Sequence, residues 1–417
     1  MKNKIITLSL AAAISLNALT LDEMNQEFKK NEIKTEKKSL YKKKFQYKYF
    51  ANVSKETMDL YIETKKLLLI GDLPNAKKIA MKLFNKTNSL SNTNEDEKQL
   101  ANIALGYVYE EYGEKYKWKF IHLSALSYYD KLSNKVESIY GILELKDILI
   151  EKNKDNLQQL KESMLKINSF LGENKDNFEE KNYIYLKMKL NSIMAEIEFR
   201  QNNLKGAVTW LEKEDSELKR LYTYYSLNEA RLIYRRAFYT FNLTGETDKT
   251  LNELKTSYYI SKKILDNMNM SERSVFLADT YLFMGKILSS GTKQEESLDY
   301  FKEAIKIYKY NGLKEKEVEA RFQLINTYKI MGQMNKAEKD TDQIIKIIKD
   351  YFGDNSPSYA DAIISKADII NSNGKYKKAM KLMEEAKKIY VDNFGKYSKE
   401  VKMINSTINY IKSQSDF

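Results

Sequence analysis

The side chains of this sequence that are best suited to binding chemistry are arginines in one stretch. Five of the seven arginines lie between Arg200 and Arg236, and aromatic residues such as Tyr239 stand close by. A guanidinium group holds a carboxylate with charge-assisted hydrogen bonds, so this stretch is suited to binding an acidic segment or a chain terminus. The alternative is that these residues simply face solvent, as most charged residues do.

Residue types that usually carry catalysis or hold metals are scarce. The chain has no cysteine, which excludes disulfides, thiolate metal sites and cysteine nucleophiles. Its single histidine, His122, lies in an apolar stretch, where we expect a structural residue packed among Phe120, Leu123 and Leu126. No two glycines lie within three residues of each other, so the chain lacks a phosphate-binding loop and a dinucleotide fingerprint. We therefore expect a non-enzyme with no catalytic residue, no metal site and no cofactor.

The net charge of +12 raises the question of a nucleic-acid partner. Residues 1–52 hold eleven lysines and five acidic residues, so half of the excess lies in one short segment. Only seven of the seventy basic residues are arginine, the side chain that best reads guanine edges and phosphates. The lysines are thus interpreted as a solvated surface, and we expect no nucleic-acid partner.

The first twenty residues have the three-part layout of a secretory signal. Lys2 and Lys4 precede an apolar run over 5–19, and acidic residues follow at Asp22 and Glu23. The run is shorter than the ~20 residues that a membrane-spanning helix needs. We predict a signal peptide over 1–20, cleaved after Thr20, and export to the periplasm or cell surface. An uncleaved N-terminal anchor and a buried amphipathic helix of a cytoplasmic protein are the alternatives.

Residues 21–53 form a Lys/Glu-rich segment with scattered aromatic residues. Its charge density and its lack of aliphatic periodicity predict a flexible or weakly helical tether. Contact with anionic lipid or a wall polymer is the alternative, because basic segments beside an export signal are attracted to such surfaces.

From residue 54 onward every segment shows the apolar spacing of three and four residues that is typical of helices. Two prolines and fourteen glycines are too few for the turns of a sheet-rich chain of this length. Over 278–309, the small residues Gly285 and Ser297 stand where two helices of a pair would cross closely. The same pattern includes Tyr281, Met284, Leu288, Phe301 and Ala304. Its bulky members are expected to fill the seam between successive pairs.

This spacing resembles the tetratricopeptide repeat, in which two helices form one repeat. The last two pairs repeat literally, since Phe352–Gly353 and Phe394–Gly395 stand 42 residues apart. Together with Pro357 in the linker, this resembles the repeats of kinesin light chains. Eight pairs can be placed, marked by Gly71 and Ala76, Gly106 and Tyr109, Gly141 and Ile148, Ala195 and Ala207, Gly245 and Leu254, Gly285 and Ser297, Gly332 and Ala337, and Gly374 and Ala379.

The resemblance implies an all-α fold, an α-solenoid that forms a right-handed superhelix of about eight antiparallel helix pairs over 54–397. The third pair, around Gly141, is the least regular. Residues 398–417 place apolar side chains on one helical stripe and polar ones opposite, which predicts a capping helix and tail. The apolar stripe consists of Val401, Ile404, Ile408 and Ile411.

In tetratricopeptide proteins the first helix of each pair lines a concave groove. The resemblance implies that the residues at matching positions contact the partner: Lys189, Glu196, Arg200, Arg235, Arg236, Tyr239, Asn242, Lys286, Phe322, Gln323, Asn326 and Lys329. Arg235 and Arg236 are expected to supply much of the attraction for an acidic segment, and their replacement is expected to leave stability nearly unchanged. The family's carboxylate clamp is not supported, because Tyr239 and Phe283 stand at two of its positions.

We interpret the protein as an exported scaffold for protein–protein or protein–peptide interactions, acting through its groove and without catalytic activity. The alternative is a cytoplasmic helical-repeat regulator that senses a peptide. The expected partner is a protein or a peptide, and an acidic one suits the groove. Membrane contact is expected only through an uncleaved N-terminal anchor. The sequence leaves open whether the groove or the convex face binds.

Overall fold

The computed structural model describes residues 53–89, 94–132, 135–221 and 226–415. This part of the chain contains α-helices, one short 3-10 turn over Lys175–Asn177 and no strand. None of the described helices is both long and apolar enough to cross a membrane. The predicted signal peptide over 1–20, and the tether up to residue 52, lie outside the described residues and stay predictions.

Eighteen α-helices follow one another in the described residues. They are α1 Lys55–Ile70, α2 Leu73–Thr87, α3 Glu95–Glu111, α4 Lys115–Tyr129, α5 Lys135–Glu144, α6 Lys146–Lys152, α7 Leu157–Glu173, α8 Glu180–Arg200, α9 Leu204–Leu221, α10 Leu227–Thr244, α11 Thr247–Asp266, α12 Val275–Ser290, α13 Gln294–Asn311, α14 Lys314–Ile330, α15 Met334–Phe352, α16 Pro357–Ser372, α17 Tyr376–Phe394 and α18 Lys399–Ser415.

The helices pack in consecutive pairs, which confirms the predicted all-α repeat architecture. Seven pairs consist of two helices each. In the third pair the first helix is broken at Leu145 into α5 and α6, and the helix that follows, α7, packs mainly against α8. The chain divides into two compact units, unit 1 up to Thr280 and unit 2 from Tyr281 onward. The boundary falls within α12.

Local signals explain where the helices begin and end. Ser54 and Ser226 cap α1 and α10, because each hydroxyl accepts a hydrogen bond from the main-chain N–H three residues on. At the other end, α1 and α10 stop at Gly71 and Gly245, whose left-handed conformations cost a residue without a Cβ little. Gly71 and Gly245 therefore end the first helices of their pairs, as the sequence pattern indicates.

The close crossing of helix pairs depends on small residues, as predicted for Gly285 and Ser297. A Cβ atom placed on Gly285 would lie 2.6 Å from the ring of Phe301, which is fully buried. Ser297 is also fully buried, at the start of the partner helix. Any larger residue at Gly285 would push α12 away from α13, since packed cores have little spare room.

The two literal repeats have the same backbone. Gly353 has φ and ψ of 85° and 158°, and Gly395 has 86° and 157°. Ser356 and Ser398 then accept hydrogen bonds from the N–H groups of Tyr359 and Val401, three residues further on in each copy. The linker that resembles kinesin light chains thus ends one helix and caps the next in both copies.

The last described helix, α18, packs on the eighth pair, as predicted for a capping helix. Val401, Ile404, Ile408 and Ile411 are buried against α16 and α17 residues. A shift of 42 residues aligns α18 with α16, and it places Lys402 and Asn409 where α16 has the buried Ala360 and Ala367.

Those polar residues take the positions at which α16 contacts the rest of its pair. A further helix would have to bury them without partners, so they are suited to the end of a repeat array.

The surroundings of His122 differ from the prediction. The imidazole is buried, and its Nε2 lies 3.1 Å from the main-chain oxygen of Ile103. Burial lowers the pKa of His122, and the hydrogen bond to Ile103 opposes this. Of the three predicted neighbours, Leu126 is buried, but Phe120 and Leu123 are exposed on the outer face of α4. The structural role expected for the imidazole therefore holds, with Gly106 and Trp118 beside it instead.

Candidate functional site

The first helices of unit 1 meet around a fully buried carboxylate, Glu144, the last residue of α5. Lys65 of α1 donates to it at 2.9 Å, and Lys189 of α8 lies 3.3 Å away. Tyr185 of α8 also donates to the carboxylate through its hydroxyl. Residues from three helices therefore share one negative charge, and we call Glu144, Lys65, Lys189 and Tyr185 the Glu144 cluster.

Two opposing effects set the ionisation of Glu144. Burial alone raises the pKa of a carboxyl group, because it disfavours the charged form. The charges of Lys189 and Lys65, with the hydrogen bonds from Tyr185 and Lys65, outweigh burial and bring the pKa of Glu144 down to about 2. The carboxylate is therefore ionised at neutral pH and joins α1, α5 and α8.

The break in the third pair positions this cluster. α5 ends at Glu144 and α6 begins at Lys146, so the helix is interrupted at Leu145. The hydroxyl of Tyr107, from α3, donates to the main-chain oxygen of Glu144 at this interruption. The break at Leu145, which makes the third pair irregular in the sequence, is thus also the place where α3 contacts α5.

A neighbouring carboxyl group shows the opposite behaviour. Glu110 of α3 is half-buried, and burial together with the nearby charge of Asp147 raises its pKa to about 8. Glu110 therefore holds a proton at neutral pH, whereas Glu144 does not.

No group of three or more acidic or histidine side chains in the described residues is placed to hold a metal ion.

Unit 1 is closed by a contact between the first helices of its first and fifth pairs. Arg231 of α10 donates to the main-chain oxygens of Leu68 and Leu69, at 3.1 and 3.0 Å. These oxygens belong to the last turn of α1, where carbonyl groups lack helical partners and attract cations. The guanidinium group also lies over the ring of Phe276, 4.7 Å from its centre. Arg231 therefore ties α10 to the end of α1.

The structure corrects the prediction that Arg235 and Tyr239 face an open groove. Arg235 donates to Ser192 at 2.6 Å and to Glu214, and Tyr239 is buried. Tyr239 stacks on Phe199 with ring centres 4.3 Å apart. Both side chains therefore build the packing between the fourth and fifth pairs, because α10 lies against α8 and α9 at these residues.

Glu196 joins two other predicted residues. It accepts a hydrogen bond from the Tyr239 hydroxyl at 2.6 Å and one from Arg200, one turn further along α8, at 2.8 Å. Asn242 is exposed, and its amide donates to the main-chain oxygen of Phe238 in its own helix. Within unit 1, these predicted residues mainly contact one another and their own helices.

Every cation among the predicted groove residues has a carboxylate partner in the chain. The partners are Lys189 with Glu144, Arg200 with Glu196, Arg235 with Glu214, Arg236 with Glu253, Lys286 with Glu319 and Lys329 with Asp368. An acidic ligand would have to displace one of these carboxylates. The pairs differ in how easily that can happen, because burial strengthens a pair and solvent weakens it.

In unit 2, the predicted residues of α14 are accessible. Phe322 and Gln323 are half-buried, and Asn326 is exposed. Lys329 lies 3.5 Å from Asp368 of α16, and both side chains are partly exposed. Ile330, which the sequence reasoning did not select, has 65% of its surface exposed at the end of α14. We call Phe322, Gln323, Asn326, Lys329 and Ile330 the α14 face.

The sequence reasoning also missed Lys65, Glu144, Tyr185 and Arg231. Glu144 did carry a signal, because it is an acidic residue within the apolar run ILELKDILI. A charge inside such a run is expected to be buried and paired. Its partners were not predictable, since Lys65 lies 79 residues away along the chain.

Comparison with known proteins bears on the fold. No family model matches the sequence, and no curated protein matches it. Among solved structures, the chain is similar to a Rap protein complexed with competence and sporulation factor, with 15% identity and a TM-score of 0.51. The match covers 87% of this chain and 99% of that one.

Two further structures are similar over a smaller part of the chain. One is BtubC from P. vanneervenii, with 15% identity, a TM-score of 0.49 and coverage of 58% of this chain and 94% of that one. The other is a putative kinesin light chain from Podosopora anserina with TPR-like repeats, with 15% identity, a TM-score of 0.44 and coverage of 50% and 98%. From the helix pairs and the likeness to the Rap protein, this chain has the helical-repeat fold of tetratricopeptide proteins.

Proposed function

We propose that this protein is an exported interaction scaffold that binds a protein or peptide segment along the α14 face of unit 2. The observation that carries the proposal is the accessibility of that face. In unit 1, by contrast, Lys189 and Arg235 are paired with buried or largely covered carboxylates, and Tyr239 is buried in the packing. A repeat protein without catalytic groups acts through the surfaces that its helices leave accessible.

The α14 face has the chemistry that an extended segment requires. Phe322, Asn326 and Ile330 follow one another at intervals of four residues, so they lie on one side of the helix. Phe322 and Ile330 offer apolar contact at either end. The amide of Asn326 both donates and accepts hydrogen bonds, which suits the main chain of a peptide.

Lys329 gives the face a preference for an acidic group. Its pair with Asp368 is long, at 3.5 Å, and is partly exposed on both sides. Such pairs contribute only about 0–1 kcal/mol, so a ligand carboxylate can take the place of Asp368. The proposed ligand therefore combines apolar side chains with a carboxylate near the C-terminal end of α14.

Photo-cross-linking tests this proposal in cells. A benzophenone amino acid at Asn326 should form an adduct with the partner, and one at Lys346, exposed on the second helix of the same pair, should not. Adducts at Lys346 alone, or equally at both positions, would place binding on the outer face and contradict the proposal.

The export part rests on the charged start and the apolar run over 5–19. Leu10→Arg with Ala13→Asp should leave the protein in the cytoplasm, because charges in the run prevent translocation. The same charges at Asn25 and Asn31 provide the control and should leave localisation unchanged. Unchanged localisation of the first variant would contradict export.

A cytoplasmic peptide-sensing regulator is the second candidate. The solved Rap structure with a similar fold is described as a complex with competence and sporulation factor, which favours this candidate. Fractionation with sequencing of the mature N-terminus separates the two. A cytoplasmic chain that retains residues 1–20 supports the regulator, and an exported chain supports the scaffold.

A further inference from the structure

The outer face of α4 carries an exposed aromatic stripe. Tyr116, Phe120 and Leu123 are 93%, 77% and 41% exposed, and Ser127 continues the same side of the helix. Their intervals of four, three and four residues keep them on one line. On the other second helices, aromatic side chains of comparable exposure stand only near the C-terminal end, at Tyr310, Tyr351 and Phe394. A stripe that begins in the first turn and runs the length of the helix therefore distinguishes α4.

The stripe is divided by side-chain size. Its first half holds the large residues Tyr116 and Phe120, and its second half holds Leu123, Ser124 and Ser127, all of them exposed. If a second α4 packs against the first in the antiparallel direction, Tyr116 of each copy lies opposite Ser127 of the other. Phe120 then lies opposite Leu123. Tyr116 of one copy then fills the space beside the small Ser127 of the other, at both ends of the contact. In a parallel arrangement Tyr116 would lie against Tyr116, and Ser127 against Ser127.

The charges of α4 favour the same arrangement. The helix has lysines at positions 115, 117 and 119 and no acidic residue. Lys117 and Lys119 are paired with Glu114 and Glu151, so the charge of Lys115 dominates the N-terminal end. In the antiparallel arrangement this end faces the C-terminal end of the second α4, where the helix dipole is negative. The exposed Asp130 that follows has a long ion pair with Lys152, at 3.8 Å, and Lys115 of the other copy can join it. A parallel arrangement would place lysines against lysines.

We propose that α4 is the interface of a two-fold symmetric dimer of this protein. The same patch serves both copies, as two-fold symmetry requires. One helix from each copy is a small contact beside the ~1,600 Å² that standard interfaces bury, so the dimer is expected to form at micromolar rather than nanomolar concentrations.

Sedimentation equilibrium of the purified chain over a range of concentrations tests the proposal. Phe120→Glu should raise the dimer dissociation constant at least a hundredfold, because two-fold symmetry removes the Phe120–Leu123 contact twice. Tyr410→Glu, on α18 at 59% exposure, is the matched control and should leave the constant unchanged. Phe120 is exposed, so thermal unfolding should confirm that both variants are folded.

Cysteine cross-linking tests the antiparallel geometry, since the chain has no cysteine of its own. A mixture of Tyr116→Cys and Ser127→Cys proteins should form disulfides between the two variants, and neither variant should cross-link to itself. Self-cross-linking of each variant would show a parallel contact and overturn the proposal.

A chain that stays monomeric at every concentration would also overturn it. If such a monomer bound vesicles of anionic phosphatidylglycerol, and Phe120→Glu abolished that binding, the stripe would be a lipid contact and not a dimer interface.

Discussion

Unit 1 and unit 2 are built from the same kind of helix pair, but their buried carboxylates have different ion-pair partners. In unit 1, Glu144 is held by lysines of two other helices. In unit 2, the buried Glu317 is held within its own helix, by Arg321 one turn later and Lys314 one turn earlier. The repeat pattern therefore sets how two helices of a pair cross, and it leaves open whether the first helices are locked together or stay accessible.

The largest effect is expected when the Glu144 cluster is broken. Glu144→Gln should lower the free energy of unfolding by about 3 kcal/mol, because it removes the buried charge that two half-buried lysines share. Glu319→Gln, which removes the partly exposed partner of Lys286 in unit 2, is the control and should cost at most about 1 kcal/mol. Urea unfolding followed by circular dichroism measures both, and equal costs would remove the distinction between the units.

Arg235 and Arg236 of α10 allow a less exposed and a more exposed ion pair to be compared within unit 1. Arg235→Ala should cost about 2–3 kcal/mol, since it leaves the carboxylate of Glu214 and the hydroxyl of Ser192 without their donor. Arg236→Ala should cost about 1 kcal/mol or less, because that side chain is more exposed. This replaces the expectation that both substitutions leave stability unchanged. Denaturation curves of the two single variants that coincide would contradict the buried role of Arg235.

The crossing of the helix pairs can be tested apart from the charges. Gly285→Ala should destabilise the protein by about 1–2 kcal/mol, because the added methyl group meets the ring of Phe301. Gly172→Ala in α7 has free space around it and should stabilise by about 0.5–1 kcal/mol. A thermal melt in which both variants shift in the same direction would contradict the close crossing.

A further difference concerns Glu110 and the dependence of stability on pH. Its pKa is about 8 in the folded chain against an ordinary value of 4.5, so between these values the folded state holds more protons than the unfolded state. Stability should therefore fall as pH rises through this window, by at most about 1.4 kcal/mol per pH unit. Glu110→Gln, which stays neutral, should flatten that decline. A pH series in which the wild type and the variant show the same slope would contradict the raised pKa.

The sequence predicted the parts of this fold that depend on neighbouring residues. The ends of α1 and α10, the crossing at Gly285, the literal repeat at Gly353 and Gly395 and the packing of α18 all follow from local spacing. The pair between Glu317 and Arg321 is of the same local kind, since the two residues lie one turn apart.

The candidate site was less predictable, because its contacts join distant parts of the chain. Arg231 reaches carbonyl groups 162 and 163 residues away, and Lys65 reaches Tyr185 across 120 residues. The predicted groove residues were chosen by matching this sequence to the groove positions of tetratricopeptide proteins, which assumes that the groove is open in this protein. In unit 1 these long-range contacts fill that space, and the assumption fails for Arg235 and Tyr239.

We propose that the α14 face of unit 2 binds the partner, whereas the cations of unit 1 hold the fold together. Isothermal titration of the recovered partner against the double variant Asn326→Ala with Lys329→Ala tests this most directly, with Arg236→Ala as the matched unit 1 variant. Binding should be at least tenfold weaker for the double variant and unchanged for Arg236→Ala, and circular dichroism should show that both proteins are folded. Full affinity of the double variant, together with weakened binding of Arg236→Ala, would contradict it.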